Sequence, residues 1–422
     1  MAKLDLLSST SYVETPFIIA RVGEFSFGVY SKATANIIKN NLEYRSLNVT
    51  YPNYVDSLTI TKVNGNLNTY TLQITYAITQ GDDPNLIDKV FSKVKNDRTI
   101  VLSYGDLSIP TYIYKEEEAL ITKVTNSINV NNSSISYTIN CVSKALNLSA
   151  GTFSFPKQKM KPSDKIKEIL YNNQYGLLDI FYGMRDKGKV LTNNLILADD
   201  KVVDIEAKHS ISPIEYLKYL VDCMISVQDV GNNVVNNSKY TLTVFDDIKN
   251  TLGGPYFKIV KISDTSDEHS SSDVYTIDIG YPGQNIVTNF TVNDDETYSI
   301  LYDYSEQIDQ SKYIYRINNQ GEMESIYSPS LTNSSKLLKT TSADKTWWTQ
   351  ITQYPITATL TIKGLLRPAI LMTYIKINVW FYGRKHISSG TYIITKQQDS
   401  INASGYRTTL SLTRVKGDTY DY

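Results

Sequence analysis

Two nine-residue stretches decide how this chain is read: ITKVTNSIN at residues 121–129 and ITKQQDSIN at residues 394–402. Both begin Ile-Thr-Lys and end Ser-Ile-Asn. Their surroundings match in order. Leu58-Thr59-Ile60, with Gly65 after it, precedes the first, and Leu360-Thr361-Ile362, with Gly364 after it, precedes the second. Strands ending in Tyr104-Gly105 and Tyr382-Gly383 come next. Alternating strands, Ile135–Val142 and Tyr406–Val415, close each set. The simplest reading is one β-module used twice in one polypeptide, an arrangement that serves assembly more often than catalysis.

Composition sets the frame. A chain of 422 residues implies roughly two to four domains and buries enough apolar surface to need no disulfide or metal staple. Lys and Arg number 42 against 43 Asp and Glu, so no basic excess advertises nucleic acid or an anionic membrane. Cys141 falls in a strand pattern and Cys223 in a helix pattern. Both read as small buried apolar residues, and synthesis in a reducing cytoplasm is expected. Residues 1–15 lack a basic region followed by an apolar run, and no stretch approaches the ~18 apolar residues of a membrane span. No membrane insertion is therefore expected. The 33 Tyr, set against 3 His and 3 Trp, together with abundant Thr, Ile and Val, favour pleated surfaces. The Asn and Ser content favours the turns between them.

Along the chain, residues 70–78 alternate cleanly: Tyr70, Leu72, Ile74, Tyr76 and Ile78 share one face. Asp83-Pro84 starts a helix with an apolar stripe of Leu86, Val90, Phe91 and Val94. It is the one helix expected in the first 150 residues. Strands are expected at 98–104, 111–125 and 134–143. Pro162-Ser163-Asp164 opens a helix carrying Ile166, Ile169 and Leu170. Ser212 and Glu215 form a capping box, with Pro213 at the first helical position and Ile214, Leu217, Leu220, Val221 and Met224 at helical spacing. Residues 195–207 read as extended. Residues 231–239, 263–273, 293–296 and 317–324 read as surface loops. The last 75 residues return to strands at hairpin spacing, the pattern of a barrel or sandwich.

Catalytic constellations are missing from the sequence. It holds no G-x-S-x-G, Walker loop, H-E-x-x-H or C-x-x-C, and His209, His269 and His386 lie in three separate regions. The paired acids at 82–83, 199–200, 246–247 and 294–296 sit where turns or caps are expected. No catalytic, metal or cofactor-binding residue is assigned. Trp347-Trp348 reads as core at the mouth of the second barrel or as an interface anchor. Arg384-Lys385-His386 reads as a solvated turn or as a contact to a negatively charged partner. Trp347, Trp348, Arg384 and Lys385 are the candidate interface residues.

Residues 347–415 resemble the C-terminal signature of bacteriophage baseplate or tail hub proteins, the group that includes the T-even baseplate hub and the late-control gene D product family. The resemblance is carried by the ATLTIKG strand (358–364), by Gly390-Thr391-Tyr392-Ile393-Ile394, and by the final strand Tyr406 to Leu412. The helix start Ser212 to Leu217 and the Asp83-Pro84 step resemble those of such hubs as well. Residues 230–345 carry no part of it.

That resemblance implies a β-rich α+β chain of several domains. Two duplicated tail-tube-like antiparallel β-barrels, at 1–150 and 346–422, would flank a mixed α/β central region at 151–345 that can donate strands to the second barrel. It implies a homotrimer whose six barrels adapt a sixfold tail tube to a threefold central spike or tail tip around a genome channel. The implied partners are the tail tube protein, the spike or tail-tip protein and baseplate or distal tail proteins, with DNA passing through the lumen without specific binding. The implied location is the virion tail, after synthesis in the bacterial host cytoplasm. Polar Asn, Thr, Lys and Gln positions on the alternating strands are expected to line the lumen. The competing readings are a tail-associated peptidoglycan or glycan hydrolase, a receptor-binding adhesin, and a β-rich protein with no phage link.

Overall fold

The computed structural model describes residues 15–30, 32–40, 47–63, 66–77, 83, 85–92, 98–106, 114–149, 151–171, 202–224, 226–230, 234–246, 256–262, 275–280, 287–294, 313–317, 323–327, 356–364, 371 and 374–417. The first stretch runs β1 (Pro16–Val22), β2 (Phe25–Tyr30), α1 (Lys32–Asn40), β3 (Tyr51–Pro52), β4 (Val55–Val63), β5 (Thr69–Ala77), α2 (Leu86–Ser92), β6 (Thr99–Asp106), β7 (Tyr114–Asn129) and β8 (Ser134–Ser143). Two helices stand where one was expected. The missed one, α1, is short and polar, and Ile38 holds it against Phe17, Ile19 and Leu47. Strand β1 buries Phe17, Ile18, Ile19 and Ala20 in succession, so it shows no period of two to read.

Where periodicity exists, it holds. Tyr70, Leu72, Ile74 and Tyr76 of β5 are buried, while Gln73 and Ala77 are exposed. Asp83 takes the amide hydrogen of Asn85 on Oδ1 at 2.9 Å and that of Leu86 on its carbonyl at 3.1 Å, opening α2. The buried side of that helix is Ile87, Val90 and Phe91, with Leu86 half-buried. Ile78, Pro84 and Val94 lie outside the described residues.

The middle of the chain begins with a 3-10 turn (Lys144–Ser149), followed by β9 (Phe153–Phe155), β10 (Gln158–Met160), α3 (Pro162–Tyr171), β11 (Val203–Ile205), β12 (Lys208–Ile211) and α4 (Pro213–Cys223). Next come β13 (Ser226–Val230), β14 (Val234–Phe245) and β15 (Tyr256–Ile262). Ser212 caps α4 by accepting the Glu215 amide at 3.4 Å. Ile214, Leu217, Leu220, Val221 and Met224 are buried as the spacing requires, in one cluster with Ile166, Ile169 and Phe155. The Phe155 and Tyr216 rings stack at 3.7 Å between centroids. The loop expected at 231–239 is corrected in part: 234–239 belong to β14, with Asn237 opposite Val227 and Val234 opposite Val230. Ladder pairing there overrides the turn preference of Asn and Ser.

The remainder comprises β16 (Tyr275–Ile279), β17 (Val287–Asp294), β18 (Tyr313–Ile317), β19 (Met323–Tyr327), β20 (Ile356–Lys363), β21 (Tyr374–Phe381), β22 (Arg384–Lys385), β23 (Gly390–Asn402) and β24 (Gly405–Gly417). Asn293 and Asp294, expected in a loop, end β17, while Ile317 and Met323-Glu324 belong to β18 and β19.

One sheet crosses both ends of the chain, in the order β17-β20-β24-β23-β4-β5-β8-β7-β6-β1-β2-β3, with β16 parallel to β21 at its side. Among the described residues this path is open, and no closed barrel is formed. The module used twice is visible in it as a repeated order: β4-β5-β8-β7-β6 in the first half and β17-β20-β24-β23-β21 in the second.

The register repeats too. Leu72 faces Ile139 as Leu360 faces Leu410. Ile128 faces Ile135 as Ile401 faces Tyr406. Ile100 faces Ala119 as Ile375 faces Tyr392. The irregularities recur as well. The ladder skips between Val55 and Ser57 as it does between Val287 and Asn289, and between Ile121 and Lys123 as between Ile394 and Lys396. The repeated Ile-Thr-Lys therefore spells a β-bulge. In each copy the extra residue is the Thr, whose hydroxyl donates to the carbonyl across the ladder: Thr122 to Asn140 at 3.0 Å and Thr395 to Ser411 at 3.1 Å.

Two of the sequence alignments shift. Strand β20 holds the rank of β5, not β4, so the true counterpart of TATLTI (357–362) is TYTLQI (69–74). The two copies of Leu-Thr-Ile therefore stand on strands of different rank. Tyr104-Gly105 lie within β6, whereas Tyr382-Gly383 form the turn after β21, with φ of 50° and 78°. Gly364 of the ATLTIKG signature has a steric cause. A Cβ there would run into the Tyr406 ring, and its amide donates to the Tyr406 carbonyl at 2.9 Å.

Candidate functional site: a polar sheet face and two open strand edges

Because the halves share register, alternation gives the joined sheet two unlike faces. One buries Leu58, Ile60, Leu72, Ile74, Ile139, Leu360, Ile362, Leu410 and Leu412. The other is polar from end to end. One cross-strand row reads Lys363, Arg407, Ser400, Thr59, Thr71, Asn140, Lys123. Another reads Asn289, Thr361, Thr409, Gln398, Thr61, Thr69. All of these are half-buried or exposed.

Neighbours in this face bond to one another. Thr361 and Thr409 hydroxyls lie 3.2 Å apart, Ser57 donates to Gln73 Oε1 at 3.0 Å, and Thr71 donates to Asn140 Oδ1 at 3.3 Å. Hydroxyls and amides dominate, with a few Lys and Arg. Such a surface is wetted, and the charged side chains in these two rows, Lys363, Arg407 and Lys123, are all basic.

The halves meet where β23 pairs with β4, from Lys396 opposite Val63 to Asn402 opposite Ser57. The seam is sealed on its inner face. Ile401 and Tyr406 of the second half sit in the core cluster of the first. Beside them lies a buried ionic group. Lys62 Nζ is 2.6 Å from Glu117 Oε1, and both side chains are almost fully enclosed. Lys115 Nζ is 2.9 Å from the Tyr406 hydroxyl and 4.0 Å from Asp399, which also accepts from Gln397 at 2.8 Å and Thr408 at 2.5 Å. Burial alone would lower the Lys62 ammonium pKa, and Glu117 with Asp399 and Asp246 more than reverses that, so it lies above the ordinary value. Burial likewise opposes ionisation of Glu117, and Lys62 and Lys115 outweigh it, leaving its pKa below the ordinary value. The pair is ionised.

Asp246, directly after β14, docks onto this core. It accepts from Ser143 at 2.5 Å, Asn68 at 2.8 Å and the Tyr70 hydroxyl at 2.9 Å. Burial pushes its carboxyl up to about 6, with the nearby Glu117 charge adding to the rise, against the lowering effect of those hydrogen bonds. The folded state thus takes the proton more readily than the unfolded chain. Stability from this group is full below the unfolded value near 4 and is lost as pH rises through about 6. Going from pH 7.5 to 5.0 is expected to gain about 1.4 kcal/mol from this residue. Urea unfolding of the wild type and Asp246→Asn at both pH values measures it. The gain should shrink by that amount in the variant, and an equal gain in both would exclude Asp246 as its source.

Of the strand edges left open among the described residues, two belong to the repeated units. One is the outer edge of β17. The other is the second half of β7, residues 122–129, whose first half alone pairs with β6. Val124 (38 %) and Ile128 (67 %) are exposed there, although the equivalent of Ile128, Ile401, is fully buried. Sequence reasoning missed Ile128, Phe290 and Val292; the signal for Ile128 was the alternation within the repeated ITK segment, and for Phe290 and Val292 the alternation within β17. The residues it chose lie elsewhere. Arg384 and Lys385 form the short β22 hairpin with β21, where Lys385 Nζ stands 5.5 Å from the Trp380 ring centroid. The aromatic tip of that hairpin, Phe381 and Tyr382, is exposed. Trp347 and Trp348 lie outside the described residues, as does His269. Cys141 is buried, which pushes its thiol up to about 12, and Cys223 is half-buried. Among the described residues no group of three or more His, Cys, Asp or Glu side chains could hold a metal ion. No described helix is long and apolar enough to cross a membrane.

No family model and no curated protein matches the sequence. Solved structures do. The chain is similar to a tail protein from Neisseria meningitidis MC58 over 94% of its own length and 96% of the other, at 8% identity and a TM-score of 0.49. It is similar to the 43 kDa tail protein of prophage MuSo2 from Shewanella oneidensis over 94% and 98%, at 12% identity and a TM-score of 0.46. It is also similar to an E. coli component of the type VI secretion system, itself described as structurally similar to T4 bacteriophage tail proteins, over 86% and 73%, at 9% identity and a TM-score of 0.44.

Proposed function

We propose that this chain is a structural component of a phage-type tail, and within it the hub: three copies close a ring of six β-units around a genome channel. The observation that carries the reading is the register-matched repeat of β4-β5-β8-β7-β6 in β17-β20-β24-β23-β21, joined by one seam. A heterologous contact repeated by rotation generates a ring. Two units per chain make a trimer threefold by chain and sixfold by unit, which suits a sixfold tube on one side and a threefold spike on the other. The polar face would line the channel, where hydroxyls and amides outnumber the basic side chains and present DNA with no base-specific contact. No catalytic step is assigned.

Averaged electron micrographs of the purified assembly test this. End-on views should show six lobes around an open centre with threefold symmetry. A solid particle, or two- or fourfold views, would count against the hub.

A further inference from the structure

Inside one chain, the last seven residues of the repeated segment in β23 lie against β4. Among the described residues, the counterpart of that segment in β7 has an open edge, and the counterpart of β4, which is β17, has an open edge as well. We infer that these two edges are one interface split between molecules: residues 123–129 of each chain add antiparallel to β17 of the next copy. The intramolecular seam dictates the register. Lys396 to Asn402 map onto Lys123 to Asn129, and Ser57 to Ile60 map onto Asn289 to Val292. Asn129 then faces Asn289 of the neighbour, Ile128 faces Phe290, Ser127 faces Thr291, and Asn126 faces Val292.

The chemistry of both faces agrees with that register. On the polar side Ser127, Thr125 and Lys123 meet a strand that presents Thr291 and Asn289, so the hydroxyl rows continue across the boundary without a break. On the inner side Ile128 meets Phe290. Phe290 and Val292 are already half-buried against the second core and stand at its uncovered margin. Their counterparts Leu58 and Ile60 are fully buried, because β23 covers them. A slip by one residue would turn Ile128 to the polar face and is thereby excluded. The occupant is a second copy of this chain, since the matching half of the seam exists at the chain's own far end.

The two seams differ in character. The internal one encloses Asp399, Gln397 and Tyr406, where the external one would enclose Asn126, Val124 and Ile135. The internal seam encloses an ionic group, whereas the stretch of the external seam set by residues 126–129 and 289–292 carries no charged side chain on its inner face. An exposed edge carrying Val and Ile is otherwise an aggregation hazard, and capture by a sister chain removes it.

The inference rests on the hub reading only for the number of copies. Its test is Ser127→Cys combined with Thr291→Cys, both exposed on the polar face, in the full chain under mild oxidation. Directly opposed antiparallel positions lie within disulfide range. Most of the chain is expected to run as a covalent trimer on a non-reducing gel, while each single variant stays a single chain. Covalent ladders or closed rings of another size would uphold the pairing and overturn the three-copy hub. A trimer by mass with no cross-link would uphold the hub and overturn the pairing. Single chains by both measures would overturn both.

Discussion

Ile401→Asp is expected to destabilise the chain by more than about 4 kcal/mol, whereas Ile128→Asp should change it by no more than about 0.5 kcal/mol while the chain is monomeric. The two residues occupy the same place in the repeat: each is the eighth residue of its segment and faces β8 or β24 in the same register. Only their surroundings differ. Ile401 is enclosed by the first core, and an aspartate there would be a buried carboxylate without a partner. Ile128 is 67 % exposed, and an aspartate there meets water. Urea unfolding of both variants at low protein concentration measures the difference. Equal losses would mean that the β23–β4 seam does not hold the halves together. Under assembly conditions the ranking changes, because Ile128→Asp should abolish the ring while leaving the fold intact.

Glu117→Leu is the second large effect, an expected loss of about 3–5 kcal/mol. The lysine left behind, Lys62, is enclosed and loses its closest counter-charge. The double variant Lys62→Met with Glu117→Leu should recover most of that loss, since an apolar pair of similar volume often matches a buried ion pair. A double-mutant cycle by denaturant unfolding reads it. If the double variant is as damaged as Glu117→Leu alone, the cost lies in packing against Tyr70 and Tyr104 and not in the stranded charge. Because the Lys62 pKa lies above its ordinary value and that of Glu117 below, the pair's stability is present across neutral pH and is lost only as pH falls through the Glu117 carboxyl or rises through the Lys62 ammonium.

What the sequence showed depended on whether a physical signal was local. The repeated ITK segment was legible because a β-bulge requires a residue at a fixed place, and the same residues fill it twice. The N-cap at Ser212 and the alternation in β5 were legible for the same reason: one turn or one strand contains the whole cause. The rank of β20 was not legible. Leu-Thr-Ile fits β4 as well as β20, and only the pairing of β5 with β8 and of β20 with β24 shows which strand is which. Strand β14 was hidden because its Asn-rich start reads as a turn until β13 lies beside it.

The candidate site was the least legible part. The basic residues singled out lie on the β22 hairpin, and the two Trp lie outside the described residues. The residues at the edges are ordinary Thr, Ser, Ile and Val. Their role arises from what does not lie beside them, and that is a property of the sheet and not of any short motif.

The central claim is that each chain carries two copies of one unit and that three chains complete the ring. The mass of the purified protein in solution, by light scattering behind a sizing column, tests it most directly. The account predicts a species of about three times the 47.7 kDa chain that falls to single chains on Ile128→Asp. A dimer, a tetramer, or a single chain at every concentration would contradict it.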